Sequence, residues 1–524
     1  MTASELPERY NVSTLLDRNL EAGRGAKAAI VGEYGEVSYE RLLAMACAAG
    51  RALRALGVQR EQRVLMVMDD TPAFPAVFLG AIRAGMVPVP LNPLFKPEDY
   101  RYLLSDSEAS AVVVDLDLLP KVREALAGHG EPVPVVVAGG AAEGAHTLDD
   151  LLAEHAGELA PAPTHRDDAA FWLYSSGSTG RPKGVVHLQH DLPYTCQTYA
   201  AEVLGIGEDD RCFSTTKLFH AYGLGNSLSF PFWVGATSVQ LYGRPAPDRA
   251  LGAVERHRPT LLFSVPTLYN AMLASPEAKQ RDLSSVRLCV SAAESLPAEI
   301  WRRWHDTYGL VILDGIGSTE LLHIFCSNTT ERLRPGSSGV AVPGYDLKLL
   351  GDEDEPVPQG ETGTLYVRGD SALAGYWRQH EKTKRTVLGD WVWTGDRYRR
   401  DADGFWWHQG RVDDMLKVGG LWVSPVEMEQ VLAEHPAVYE CAVVQVLVDG
   451  LTRIKAVVVR READAGQLTA ELQAWCKERL QRHEFPHIVE YTDELPKTTT
   501  GKIQRYKLRD APEPPGDLPA GTVG

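Results

Sequence analysis

YSSGSTGRPKGVVH, residues 174–187, sets Gly177, Gly180 and Gly184 among Ser175, Ser176, Ser178 and Thr179, with Arg181 and Lys183 beside them. Glycine has no Cβ and enters φ > 0 readily, so these three let the backbone curl until N–H groups point inward at an anion. The hydroxyls add donors and the two cations add charge, so the stretch reads as a phosphate-cradling loop. It is not the common nucleotide loop, which needs a glycine, four residues and then Gly-Lys-Ser/Thr opening a helix. Here the chain leaves through Gly184-Val185-Val186-His187-Leu188, a β-branched run that predicts a strand, so a helix dipole is not what holds the phosphate. Phe171-Trp172-Leu173-Tyr174 just before it is a bulky apolar run of the kind found in buried strands. A flexible Gly/Ser linker has no need of such flanks, and the loop is expected between two strands.

Outward from the loop, residues 27–345 alternate apolar runs (AAIVG, RVLMVM, AVVVD, VPVVVA, TLLFSV, VRLCVSA and LVILDGIG) with longer amphipathic segments. That alternation predicts layered α/β structure with parallel sheets. Short strands and turns over 346–410 predict a β-rich subdomain. After Gly410 a small α+β domain is expected, with helices near 425–434 and 467–481 and strands near 441–447 and 453–460. The expected division is therefore a large N-terminal domain over 1–412, a small mobile C-terminal domain over 413–510, and a disordered Pro/Gly-rich tail over 511–524.

The chain has 524 residues, 44% of them hydrophobic, and a formal net charge of −17. Such a charge repels polyanions at long range, which argues against nucleic acid or an anionic membrane as a partner and makes the local Arg181/Lys183 pair more telling. No apolar run has signal-peptide or membrane-spanning length, so a cytoplasmic protein is expected. Its seven cysteines are scattered and never form C-x-x-C, which gives no zinc or disulfide pattern.

Further motifs follow in order. DGIGSTE, 314–320, succeeds the apolar run 310–313, and the carboxyl end of a strand is where α/β sheets bind ligands. SAAESLP occupies 291–297, WVWTGD 391–396, GRVDDMLKVGG 410–420, and the basic LPKTTTGKIQRYKLR 495–509. Together with the loop, these stretches closely resemble the motifs of the acyl-adenylate-forming superfamily, which includes acyl- and aryl-CoA ligases, peptide-synthetase adenylation domains and firefly-type luciferases. The resemblance implies that residues 175–180 and Lys183 close over the ATP phosphates, that Thr319 meets the α-phosphate and that Glu320 holds Mg²⁺. It places Ala293, Glu294, Ser295, Asp314 and Gly315 on the adenine side, with Ala293 where glycine is commoner. Asp396 and Arg411 become ribose contacts, Asp413 the hinge, Gly419 and Gly420 the lining of a pantetheine channel, and Lys502 the catalytic lysine. A cation there is physically apt, because two like unit charges about 4 Å apart repel by about 1 kcal/mol in water and about 4 kcal/mol at an effective dielectric of 20. A carboxylate attacking ATP has to meet that repulsion.

KLFHAYGLGN, 217–226, and STELLHIF, 318–325, look most like the benzoate-CoA ligase branch, with His220, Ala221, Tyr222, Gly317, His323 and Ile324 at the acyl-pocket positions. Small Ala and Gly faces beside apolar walls from Tyr222 and Ile324 make a flat slot suited to a planar ring. The implied activity is ATP-dependent formation of an aryl-CoA from benzoate or a substituted benzoate, through an aryl-adenylate, by a monomer or homodimer. One departure concerns the thiol. CoA ligases of this branch commonly carry a Lys or Arg pair around an aromatic-proline step, where this chain has His483-Glu484-Phe485-Pro486-His487. An acyl or aryl carrier protein is thus the rival acceptor, and a catalytically silent nucleotide-binding regulator is the alternative of another class. Arg368–Leu373 also contains look-alikes of an adhesion tripeptide and a serine-hydrolase box. The first needs an extracellular protein and the second a His/Asp pair that the sequence does not place.

Overall fold

A computed structural model describes residues 2–130, 132–175, 181–276, 278–412, 415–418, 421–448, 451–461, 468–481, 484–497 and 503–509. The chain forms two compact units, Met1–His408 and Gln409–Gly524. Among the described residues four sheets build the first. One is nine-stranded, and its central strands Ala28–Gly32, Thr237–Gln240, Arg211–Ser214, Leu261–Ser264, Leu288–Ser291 and Ile312–Gly317 run parallel in that spatial order. The second is a five-stranded parallel sheet ordered Val87–Pro90, Arg63–Val67, Ala109–Asp115, Val135–Ala138, His146–Thr147. Each of the seven apolar runs singled out between residues 27 and 345, from AAIVG to LVILDGIG, supplies a strand of one of these two sheets. Strands buried on both faces read as near-continuous Val/Ile/Leu runs, which is why the pattern was so legible.

The third sheet holds the loop. Ala169–Ser175 and Lys183–Leu188 pair antiparallel, Tyr174 opposite Gly184 and Ser175 opposite Lys183, and the short strand Gly375–Tyr376 adds to the outer edge of Lys183–Leu188. Phe171, Trp172 and Leu173 are buried, so the hairpin rises out of the core, as its flanks predicted. Its shoulders are tied to the helix Pro97–Ser107. The Tyr174 hydroxyl donates to Asp106 Oδ2 at 2.6 Å, the Tyr102 hydroxyl to the Pro182 carbonyl at 2.9 Å, and the Trp377 indole, 4.5 Å from that of Trp172, to the Asp106 carbonyl at 2.8 Å. The fourth sheet, built from Asp346–Leu350, Thr362–Arg368, Val387–Leu388, Trp391–Arg400 and Trp406–Arg411, is the expected β-rich subdomain, and the boundary between the units falls inside its last strand.

In the second unit Val438–Val448 pairs with Leu451–Arg460, which pairs with Ile488–Thr492, and helices Pro425–Ala433 and Leu468–Arg479 accompany this sheet. Pro425 at the first helical position and the Ser424 hydroxyl, which accepts the Glu427 N–H at 3.0 Å, start the first of those helices. All seven cysteines are buried and unpaired, and burial pushes the thiols of Cys196, Cys289 and Cys476 up to about 12, so none is a ready nucleophile. Among the described residues no helix is long and apolar enough to cross a membrane.

Candidate active site

Lys183 opens the strand that leaves the loop, and Glu320 sits in the one-turn helix Thr319–Leu321 that follows Ile312–Gly317. Their side chains meet, Lys183 Nζ lying 2.9 Å from Glu320 Oε1. Tyr376 completes a triangle, its hydroxyl 2.8 Å from Lys183 Nζ and 2.9 Å from the same Oε1, while the Ser175 hydroxyl lies 3.5 Å from that oxygen. Burial works to raise the Glu320 carboxyl, but the charge and hydrogen bond of Lys183 and the Tyr376 hydroxyl bring it below its ordinary value. Lys382 stands 5.9 Å from the Tyr376 ring, and burial and the charge of Lys183 lower its ammonium. Sequence reasoning found Ser175, Lys183 and Glu320 but neither Tyr376 nor Lys382.

Thr319 is fixed through its carbonyl. His187, wholly buried and stacked 5.2 Å from Phe171, donates from Nε2 to that carbonyl at 2.8 Å and places Nδ1 2.7 Å from Asp191 Oδ2. The strand that carries Lys183 therefore also sets the height of Thr319. Three residues beyond Thr319, Leu322 has φ +65° and ψ −41°, and the His323 N–H donates to the Leu321 carbonyl at 2.8 Å. This is the strained γ-turn of positive φ, and the sharp reversal lets Glu320 and His323 face different partners.

His323 is buried among Tyr222, Tyr199 and Phe230, with ring centroids 5.4, 5.5 and 4.4 Å away. Its Nε2 donates toward the Tyr222 carbonyl at 3.3 Å and Asn226 Oδ1 at 3.2 Å, whereas Nδ1 is buried with no partner among the described residues. Burial pushes this imidazole down to about 3, so it is neutral and Nδ1 offers a lone pair. Gly225 and Gly317 permit the close packing, since a Cβ on the first would lie 2.4 Å from the His323 ring and on the second 2.5 Å from the His323 carbonyl. The Tyr222 hydroxyl donates to the Val290 carbonyl at 3.2 Å, and loss of water contact raises its phenol well above the ordinary value. Ile324 is buried at the start of Ile324–Ser327, and His220 precedes the short helix Ala221–Leu224 with its ring 4.2 Å from Phe219. The segment is anchored upstream, where Lys217 Nζ meets Asp69 at 2.7 Å and Asp70 at 3.7 Å, and Asp70 Oδ1 accepts the Leu218 N–H at 3.0 Å.

The residues expected on the adenine side lie at the carboxyl ends of the adjacent parallel strands Leu288–Ser291 and Ile312–Gly317. Ala293 has φ +75°, the left-handed region that favours glycine, which accounts for glycine being commoner there. Glu294 Oε2 accepts the Thr267 hydroxyl at 2.8 Å. Asp314 Oδ2 receives the Leu296 N–H at 3.4 Å, Oδ1 is buried without a partner among the described residues, and burial lifts this carboxyl well above the carboxylate range. Gly315 follows it in the strand. Ser295 Oγ and His408 Nδ1 are 2.8 Å apart and His408 Nε2 is 3.6 Å from Asp396 Oδ1, so His408, which carried no sequence signal, joins the 293–295 segment to Asp396. Among the described residues no cluster of three or more His, Cys, Asp or Glu side chains is placed to hold a metal ion. The single carboxylate of Glu320 suits Mg²⁺, which on a triphosphate takes only one or two protein carboxylates.

In the second unit Arg411 ends the strand Trp406–Arg411. Lys497 and Ile503 form an antiparallel bridge, with Lys497 paired to Glu440 at 2.8 Å and Arg505 to Glu429 at 2.7 Å. The step that lacked cations in sequence has them in space. Lys477 Nζ lies 4.1 Å over the Phe485 ring, and the His487 imidazole, which accepts the Ile454 N–H at 3.1 Å, is lowered by burial and by the charges of Arg453 and Lys477. Ser176, Gly177, Ser178, Thr179, Gly180, Asp413, Gly419, Gly420 and Lys502, and the tail 511–524, lie outside the described residues. Ser371 of the hydrolase look-alike is buried, its hydroxyl spent on the Leu321 carbonyl at 2.8 Å and on Tyr345 at 2.6 Å.

Parallel strands that end at these motifs, the Lys183–Glu320–Tyr376 triangle and the cluster of rings around His323 are the features of an ATP-dependent acid-activating enzyme, and comparison with known proteins agrees. The AMP-binding enzyme family matches residues 16–377 and the AMP-binding enzyme C-terminal domain residues 427–502. A benzoate-CoA ligase of Thauera aromatica is 46% identical over 516 residues, 97% of each chain. A solved benzoate CoA ligase of Burkholderia xenovorans LB400 superposes with a TM-score of 0.90 at 44% identity, covering 96% of this chain and 100% of that one. An anthranilate CoA ligase solved with anthranoyl-AMP gives 0.94 at 41%, covering 97% and 98%. The chain belongs to the AMP-binding enzyme family, the acyl-adenylate-forming superfamily, on its benzoate-CoA ligase branch.

Proposed function

We propose that this chain joins benzoate or a hydroxy- or amino-substituted benzoate to coenzyme A at the expense of ATP. A carboxylate oxygen of the acid attacks the α-phosphorus, the bond to the β-phosphate oxygen breaks and pyrophosphate leaves. The CoA sulfur then attacks the activated carbonyl, AMP departs and the thiol proton passes to solvent. Residues 175–180 and Lys183 take the β- and γ-phosphates, Thr319 the α-phosphate, and Ala293, Glu294, Ser295, Asp314 and Gly315 the adenine. Burial lifts the Asp314 carboxyl, and its Oδ1, which has no hydrogen-bond partner among the described residues, is offered to the purine edge. Asp396 and Arg411 receive the ribose. Glu320 holds Mg²⁺, which supplies charge neutralisation on the phosphates when bound. Lys502 serves adenylation, and the unit from Asp413 onward moves so that Gly419 and Gly420 serve the thiol step. The enzyme acts in the cytoplasm, as a monomer or homodimer.

The observation that carries the reading is the neutral His323, which packs against Tyr222 with ring centroids 5.4 Å apart and leaves Nδ1 as a buried acceptor only three residues from Glu320. A ring hydroxyl or amino group can donate to it, and an alkyl chain cannot. Lys477 over Phe485 and the charge of Arg453 acting on His487 support CoA over a carrier protein, because they offer the 3′-phospho-ADP the cations that residues 483–487 lack. Intact Lys183, Glu320 and Asp396 speak against a silent regulator. Pyrophosphate exchange across benzoate, salicylate, anthranilate, 3- and 4-hydroxybenzoate, naphthoate and a fatty acid tests the pocket, and preference for the fatty acid would overturn it. Turnover with CoA against a pantetheinylated carrier protein tests the acceptor.

A further inference from the structure

We propose that Tyr376 is a positioning residue that holds the Glu320 carboxylate in place for its metal while Lys183 transfers from that carboxylate to the nucleotide phosphates. The inference rests on the reading of Glu320 as the Mg²⁺ carboxylate. Lys183 and Glu320 are each other's partners, 2.9 Å apart, yet both are wanted by the incoming ligand. When the ammonium leaves, a carboxylate with little solvent around it loses the cation that pairs with it at 2.9 Å, and a buried unpaired charge is costly. The Tyr376 hydroxyl is the neutral donor that can stay. It accepts from Lys183 Nζ and donates to Glu320 Oε1, so departure of the lysine leaves the tyrosine–glutamate bond of 2.9 Å intact. Among the described residues the three side-chain contacts to Glu320 all fall on Oε1, which orients Oε2 away from them for a metal.

Tyr376 is itself well anchored. Its strand pairs it with Val185, two residues past Lys183, its N–H donates to the Thr383 hydroxyl at 3.0 Å, and its ring lies 4.0 Å from Lys183 Nζ. The test is Mn²⁺ binding, read by electron paramagnetic resonance of the free ion, to the full chain with a non-hydrolysable α,β-methylene ATP. Wild type, Tyr376→Phe and Glu320→Gln are compared. Phenylalanine keeps the ring, and a bond to a charged group is lost, so the Mn²⁺ half-saturation should rise by roughly tenfold or more. Binding of the analogue without metal should stay within about twofold, a split that a merely structural role would not produce. Glu320→Gln should weaken Mn²⁺ at least as much. Wild-type Mn²⁺ binding in Tyr376→Phe beside weakened binding in Glu320→Gln would overturn the role of Tyr376 alone. Wild-type binding in Glu320→Gln would overturn the metal reading beneath it. Should Tyr376→Phe fail to fold, Thr383→Val displaces the same phenol by removing its backbone tether and is read in the same way.

Discussion

Ala293→Gly probes the strain stored in the adenine-side segment. Ala293 has φ +75° and an exposed side chain, so its methyl gains little from packing. A non-glycine L-residue in the left-handed region costs about 1–2 kcal/mol, while glycine gives the unfolded chain extra freedom worth about 0.5–1 kcal/mol. The difference predicts that Ala293→Gly stabilises the first unit by about 0.5–1 kcal/mol. Gly309 supplies an internal calibration. It has φ +69° at the end of the helix Ala298–Tyr308, and an added Cβ would meet nothing within 4 Å, so Gly309→Ala should cost the same amount. Urea unfolding of each variant, followed by tryptophan fluorescence, gives opposite shifts in midpoint if the strain is real. The freed segment then has to be ordered by nucleotide, so half-saturation by ATP in pyrophosphate exchange should rise roughly two- to fivefold. Destabilisation by Ala293→Gly while Gly309→Ala costs its expected amount would refute the reasoning, because the backbone penalty would be present at one site and absent at the other.

Burial pushes the Asp115 carboxyl up to about 7, so the folded state holds its proton more tightly than the unfolded one and stability falls as pH rises from about 4 to about 7. Asp115→Asn should lose that slope, measured as urea midpoints at pH 5 and pH 8, and parallel slopes would count against it. His323 runs the other way. Its imidazole is held near 3, the unfolded chain binds more protons up to about 6.5, and stability rises with pH across that window. His323→Asn should flatten the acid limb between about pH 4 and pH 6.5, and an unaltered limb would contradict the assignment. Lys502→Ala should abolish pyrophosphate exchange yet spare thioester formation from supplied aryl-adenylate, and equal loss of both would end the division of labour.

The strands around the loop were legible because Phe171–Leu173 and Val185–Val186 are buried, and burial leaves its mark on composition. The parallel sheets were legible for the same reason. Residues that act through tertiary contact left no such mark. Tyr376 lies 56 positions from Glu320 on a two-residue strand, and His408 lies 113 positions from Ser295. The γ-turn at Leu322 has no glycine to announce it. Cations near Phe485 were sought along residues 483–487, whereas they come from the strand Leu451–Arg460 and the helix Leu468–Arg479, which fold back on that segment. Ala293 is the converse case, a departure visible in sequence whose meaning needed the backbone angle.

A chain of net charge −17 has to admit a triphosphate, and the triangle at Lys183 suggests how it does so without leaving charge exposed. On the proposed roles, arrival of metal-bound ATP exchanges one ion pair for two: Lys183 turns to phosphate and Glu320 to the cation, and neither is buried alone. Nucleotide without metal can satisfy only Lys183 and leaves Glu320 facing like charge. Two unit charges about 4 Å apart at an effective dielectric of 20 repel by about 4 kcal/mol, and screening leaves a part of that. Metal-free ATP should therefore bind wild type at least roughly tenfold more weakly than the metal complex, and Glu320→Gln should narrow that gap chiefly by strengthening the metal-free state. Calorimetric titration with and without chelator measures both. If Glu320→Gln instead leaves metal-free binding unchanged, Lys183 does not leave the carboxylate when the phosphates arrive, and the exchange of partners has to be abandoned.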